Sequence, residues 1–166
     1  VRQVAEFLDG LGIAKISLVG HSLGGVVALR TTLEWPQRVD KLVLVDTPIH
    51  GESLSGSLRV ARNPLSRLVA GPKTLVGLWM RALKKSSAGW AQMYEEIVED
   101  TARLDEAAVQ QSVDNMLGLD LRPKLGGLYT HTLIVHGEKD EFIDPGHIEA
   151  FAQGPAATSQ VVILPG

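Results

Sequence analysis

The sequence predicts an α/β fold, a parallel sheet with flanking helices, into which a helical cap is inserted. Three observations predict it. Short runs of Val, Leu and Ile alternate with segments of helical length, the pattern of strands joined by helical crossovers. Two of them, KLVLVD and TLIVH, are nearly continuous in apolar residues, the composition of strands buried on both faces of a parallel sheet. The alternation breaks once, from Thr47 to about Asp120, a stretch too long for a loop inside a compact domain.

The elements follow in order. Val1, Val4, Phe7, Leu8 and Leu11 recur at helical spacing. The chain opens inside this helix on Val1 rather than on Met, which leads to the expectation that N-terminal strands precede it. Lys15 to Gly20 (KISLVG) is a strand, and Leu23 to Glu34 a helix that stops before Pro36, where the ring bars further helix. Lys41 to Asp46 (KLVLVD) is the second strand. In the interruption, Trp90, Met93, Ile97 and Val98 share one helical face, and Leu104, Ala108, Val109, Val113, Met116 and Leu117 share another. Leu65 to Leu83 is apolar with a break at Pro72. These stripes are expected to form the core of the cap and its packing, with the alternative that some line a pocket. Thr132 to His136 (TLIVH) is the third strand, Pro145 to Gln153 a helix, and Gln160 to Leu164 (QVVIL) the fourth strand, running into Pro165 and Gly166. Residues 1–46 and 121–166 therefore read as the sheet domain and 47–120 as the cap insertion.

Bulk properties exclude several classes. At 166 residues, with 45% hydrophobic and 21% charged residues, the chain is in the range of one globular domain. A formal charge of -3 argues against a nucleic-acid binder, which needs a net basic surface. No apolar run approaches the roughly 20 residues that span a bilayer. The absence of Cys removes disulfides, thiolate catalysis and thiolate metal sites and fits a cytoplasmic location.

The chemistry is carried by Gly20-His21-Ser22-Leu23-Gly24-Gly25. This is G-x-S-x-G between a strand and a helix, the context that a nucleophile elbow requires. Turning from strand to helix within one residue forces Ser22 into a strained conformation that lifts its hydroxyl above the sheet edge. Gly20 and Gly24 are expected to leave room for that turn, with His21 as its variable position. The helix N-terminus and the Leu23 N–H would stabilise an oxyanion formed beside Ser22. The competing explanation is that Ser22 is a plain helix N-cap, which leaves the glycines unexplained.

A serine hydroxyl needs a base and an orienting carboxylate. His136-Gly137-Glu138-Lys139-Asp140 follows the third strand, which puts Asp140 at the sheet edge that presents Ser22. Asp144 precedes Pro145 and reads as an N-cap. Asp46, at the end of the second strand, is a minor alternative.

The elbow GHSLGG, the stretch Pro36, Arg38, Val39 running into KLVLVD, and TLIVHGEKD followed by VVILPG resemble consecutive landmarks of the capped α/β-hydrolase superfamily. They cover the chain outside the cap. The resemblance implies that Ser22 is the nucleophile, Asp140 the triad acid, and the base a histidine a few residues past the last strand, beyond Gly166. It also implies a second oxyanion donor from an earlier loop, so residues 1–166 alone are expected to be inactive. His131 and His147 are poorly placed for the base, and His50 and His136 are expected to be structural or peripheral. The implied reaction is acyl transfer to water from a carboxylic ester or thioester of a small apolar acyl group. The implied partners are a small-molecule substrate and water, with no cofactor and no metal. The alternatives are a serine C–C bond hydrolase of the same fold and a non-catalytic ligand-binding relative.

The insertion is polarised in charge. From Ser53 to Tyr94 there are seven Lys or Arg and no acid, and from Glu95 to Asp120 eight acids against Arg103. Mutual neutralisation of two solvated faces is the plain explanation, and a basic rim that attracts anionic substrate is the sharper one.

Overall fold

A computed structural model describes residues 1–54, 96, 99–100, 103–140, 142–152 and 158–165. The chain divides into two compact units, 1–54 with 119–166, and 55–118.

The first unit opens with α1 (Arg2–Gly10), β1 (Ile16–His21), α2 (Leu23–Glu34) and β2 (Val39–Val45). It closes with β3 (His131–Gly137), a 3-10 turn over Pro145–Ile148 leading into α4 (Glu149–Ala152), and β4 (Ser159–Leu164). The strands lie in the order β1-β2-β3-β4, and every neighbouring pair is parallel. Each predicted strand is present, with its ends displaced by two residues or fewer, as frayed ends allow. Register aligns the carboxyl ends: His21 pairs with Val45, and Val45 with Val135. Ser22, Asp46 and His136 therefore emerge side by side at one edge.

The core lies against one face of the sheet. Leu42 and Leu44 of β2 and Ile134 of β3 pack with Val26, Ala28 and Leu29 of α2 and with Leu121, Leu125, Leu128 and Phe151. Alternation along β2 and β3 explains this, since residues two apart share a face. Val19 of β1 is 71% exposed and Val161 to Leu164 of β4 are 42–51% exposed. These are the outer strands of the four described. Likewise only Leu8 of the predicted α1 stripe is buried, while Phe7 and Leu11 are exposed.

Residues Thr47 to Leu54 and Leu119 to Asp120, which the sequence assigns to the insertion, pack within the first unit. Ile49 is wholly buried in its core. Leu121 N–H donates to Ile49 O at 2.8 Å and Gly51 N–H to Leu119 O at 2.8 Å, which ties the two connecting segments to each other.

In the second unit the described helix is α3 (Glu106–Leu117). Asp105 caps it, its Oδ1 accepting from Ala108 N–H at 3.0 Å, and Val109 and Val113 are its buried residues. Leu104 and Ala108, which share the predicted stripe, are exposed. Arg103 pairs with Glu99 and Asp100 on exposed surface, where such contacts contribute little. The predicted helical face with Trp90 and Met93, the run Leu65 to Leu83 and the seven basic residues lie outside the described residues. Among the described residues no helix is long and apolar enough to cross a membrane.

Candidate active site

Ser22 has φ 50° and ψ -121°, a conformation that L side chains adopt rarely and that costs of order 1–3 kcal/mol. Its surroundings impose it. Ser22 N–H donates to Val45 O on the neighbouring strand at 3.0 Å, while Ser22 O already accepts from Gly25 N–H at 3.0 Å and Val26 N–H at 3.2 Å. One residue thus ends β1 and starts α2. Ser22 occupies the N-cap position, but its side chain makes no capping hydrogen bond, so the plain N-cap explanation does not account for it. Leu23, the first residue of α2, is 43% exposed, and its N–H belongs to the helical turn whose donors have no intrahelical acceptor.

Of the two glycines expected to leave room for the turn, Gly20 is the one pressed by described atoms. A Cβ on Gly20 would lie 2.5 Å from Gly24 O and 2.6 Å from Gly25 Cα, so the backbone itself excludes a side chain there. At Gly24 a Cβ would meet no described atom within 4 Å; at Gly25 it would overlap the side chain of Thr47, with Thr47 Cβ at 2.7 Å. The close approach assigned to Gly24 belongs to Gly25, because the first turn of α2 presses Gly25, and not Gly24, onto the chain leaving β2. His21 ends β1 and is exposed.

Asp140 sits in the turn after β3, where its N–H donates to Gly137 O at 3.1 Å. Its Oδ1 accepts from Phe142 N–H at 2.7 Å and Ile143 N–H at 3.2 Å. The carboxylate therefore shapes the loop that carries it and leaves Oδ2 outside both bonds. Asp144 is an N-cap, as its place before Pro145 predicts: its Oδ1 accepts from Gly146 N–H at 2.8 Å. Asp46 holds a position that sequence reasoning undervalued. Its Oδ1 accepts from Gly137 N–H at 2.9 Å and lies 3.3 Å from His136 Nδ1. One donor atom from each of Asp46, His136 and Asp140 lies within 4.8 Å of the other two.

The histidines divide by burial. His136 is 1% exposed and meets the His147 ring edge-on at 5.3 Å between centroids. His147 is buried, with Nδ1 against Asp144 O. Desolvation holds its pKa below the ordinary 6.5, outweighing carbonyl contacts that favour the proton. His50 accepts from Ser53 N–H at 3.1 Å through Nδ1, and burial, helped by the Arg122 charge, depresses its pKa too. His131 begins β3 at the opposite edge of the sheet. His50, His136 and His147 are thus engaged in local structure.

A serine on a strained strand-to-helix turn, with carboxylates presented at the same edge of a parallel sheet, has the local geometry of the nucleophile-elbow motif. Residues 1–166 match the family model for the alpha/beta hydrolase fold, and the chain belongs to that family. It is 30% identical over 161 residues to a 2-hydroxy-6-oxononadienedioate/2-hydroxy-6-oxononatrienedioate hydrolase of Klebsiella pneumoniae, covering 86% of this chain and 52% of that protein. The chain thus spans about half the length of the curated relatives it matches. Among solved structures it resembles a hydrolase from Pseudomonas aeruginosa PA01, with TM-score 0.78 and 24% identity over 99% of this chain and 62% of that one. It also resembles an esterase from Exiguobacterium antarcticum, with TM-score 0.73 and 17% identity over 97% and 62% of the two chains. At these identities the structural matches establish the fold.

Proposed function

We propose that the protein is a serine hydrolase that passes an acyl group from a carbonyl substrate to Ser22 and then to water. The observation that carries the reading is the Ser22 backbone, at φ 50° and ψ -121° with no capping bond from its side chain. That is a cost in stability without a structural return, as expected where strain serves function. In this reading the Ser22 hydroxyl attacks the carbonyl carbon and its proton passes to a histidine C-terminal to β4. Asp140 holds that histidine in the correct tautomer, and the Leu23 N–H stabilises the oxyanion. The histidine then protonates the leaving group, and water releases the acyl group by the reverse sequence. His50, His136 and His147 are each held in local contacts, which supports a base outside this set. The insertion read over residues 47–120 is proposed as the cap of the fold, with 55–118 as its separate unit and 47–54 and 119–120 as the connecting segments.

The substrate read from the sequence is a carboxylic ester or thioester of a small apolar acyl group. A second reading is favoured by the relatives at 30% identity, whose named substrates are 2-hydroxy-6-oxo-dienedioates. Such a compound is a tautomer of a vinylogous diketone, so after ketonisation the same attack on its 6-oxo carbon would break the C5–C6 bond and expel a conjugated dienolate, which the histidine carrying the serine proton would protonate.

Covalent labelling of the intact protein by a fluorophosphonate, lost in Ser22→Ala, tests the shared chemistry. An unlabelled wild type would leave a ligand-binding protein. A panel of esters, thioesters and one 2-hydroxy-6-oxo-dienoate then separates the two substrates by kcat/KM.

A further inference from the structure

We propose that Asp46 is a positioning residue that keeps the Asp140 turn in register with the Ser22 turn. The inference rests on the reading of Ser22 and Asp140 as nucleophile and triad acid. Among the described residues, the non-glycine positions with positive φ are Ser22 and Asp46, at φ 50° and φ 41°. Strain at Ser22 has its reason in the chemistry; strain at Asp46, which the chemistry does not use, calls for another.

Its contacts supply one. Val45, just before it, accepts from Ser22 N–H at 3.0 Å. Thr47, just after it, sits where a Gly25 Cβ would be. Asp46 N–H donates to Val135 O at 3.0 Å, and its Oδ1 accepts from Gly137 N–H at 2.9 Å. Three consecutive residues leaving β2 thus touch the nucleophile turn on one side and the acid turn on the other. Gly137 is the residue from which that turn springs, since Asp140 N–H donates to Gly137 O. The positive φ turns the Asp46 carboxylate back toward Gly137. Buried His136, with Nδ1 at 3.3 Å, backs the same oxygen, and among the described residues its Nε2 has no partner. A shift of the acid turn by about 1 Å would cost on the order of 100-fold in rate, which is the scale of error that this bracket prevents.

The test compares two substitutions in the intact protein. Asp46→Gly removes the carboxylate and relieves the positive φ, while Asp46→Asn keeps an Oδ1 acceptor. Positioning predicts that Asp46→Gly lowers kcat by about 10- to 100-fold with KM unchanged, and that Gly137 amide protection from hydrogen exchange falls while that of Ile134 stays. Asp46→Asn should rescue both, bringing kcat back to within about 3-fold of wild type, since only the neutral acceptor is needed to orient the turn. An unchanged kcat in Asp46→Gly, beside a wild type that fluorophosphonate labels, overturns the positioning role alone. A loss in Asp46→Asn as deep as that in Asp140→Asn also overturns it, by making Asp46 the acid itself. A wild type that does not label overturns the underlying function and the positioning role with it.

Discussion

The two turns that make up the candidate site are held by different forces. The Ser22 turn is held by shape: Gly20 lies against the backbone of Gly24 and Gly25, and Gly25 against Thr47, so the conformation persists because no side chain fits. The Asp140 turn is held by polar contacts, from Asp140 Oδ1 to Phe142 and Ile143 and from Asp46 to Gly137. Packing constraints are insensitive to pH and intolerant of volume, whereas polar ones tolerate isosteres and respond to protonation. Substitutions in the first turn should therefore act through stability, and those in the second through activity.

The largest effect separates the two terms within the polar turn. Asp140→Asn keeps an Oδ1 acceptor for Phe142 and Ile143, so unfolding measurements should find stability nearly unchanged. In the proposed mechanism the base loses its tautomer without the carboxylate, and kcat should fall by about 10,000-fold. An Asp140→Asn variant with near-native kcat would remove Asp140 from the triad.

At the packed turn the order reverses. Gly20→Ala sets a Cβ 2.5 Å from Gly24 O, against backbone that cannot swing aside, and should cost about 3 kcal/mol in denaturant unfolding, the upper part of the overpacking range. Gly25→Ala meets a side chain instead, so pairing it with Thr47→Ala should recover about 1 kcal/mol in a double-mutant cycle. A cycle with no coupling would mean that the strain at Gly25 is released elsewhere.

Legibility in the sequence follows the same division. Ser22 was readable because the turn chemistry writes its own signature, glycines around a serine between strand and helix. Asp144 was readable because Asp before Pro caps a helical turn through local bonds. Asp46 was ranked low because its partner Gly137 is 91 residues away, and no local pattern records a pairing that sheet register alone creates. Gly25 was missed for the same reason, since Thr47 reaches it across the sheet edge. The parallel order of the strands was legible from the alternation of apolar runs with helical segments.

The polar side of the site should also show in stability against pH. His147 has a folded pKa depressed by burial from the ordinary 6.5, so the unfolded chain binds its proton first as pH falls. Its contribution to stability is present in full above the unfolded value near 6.5, and is lost as pH drops below that toward the depressed folded pKa. His50 is depressed in the same direction and adds the same sign. The melting temperature should decline from about pH 7.5 to pH 5.5, a window set by the unfolded histidine value. His147→Gln should flatten that decline without abolishing it, because His50 remains. A profile as steep in His147→Gln as in wild type would show that His147 takes up no proton on unfolding in this window.

The smallest effect tests where the packing constraint ends. Gly24 lies in the first turn of α2, and an added Cβ meets no described atom within 4 Å. Alanine is favoured over glycine in a helix by up to about 1 kcal/mol. Gly24→Ala should therefore be neutral or slightly stabilising, within about 0.5 kcal/mol at this exposed position, while the same change one residue on, at Gly25, is costly. The G-x-S-x-G pattern ranks the two the other way, since Gly24 is the glycine it names. A loss of stability in Gly24→Ala equal to that in Gly25→Ala would restore the reading of the pattern, and would mean that a neighbour outside the described residues presses on this turn.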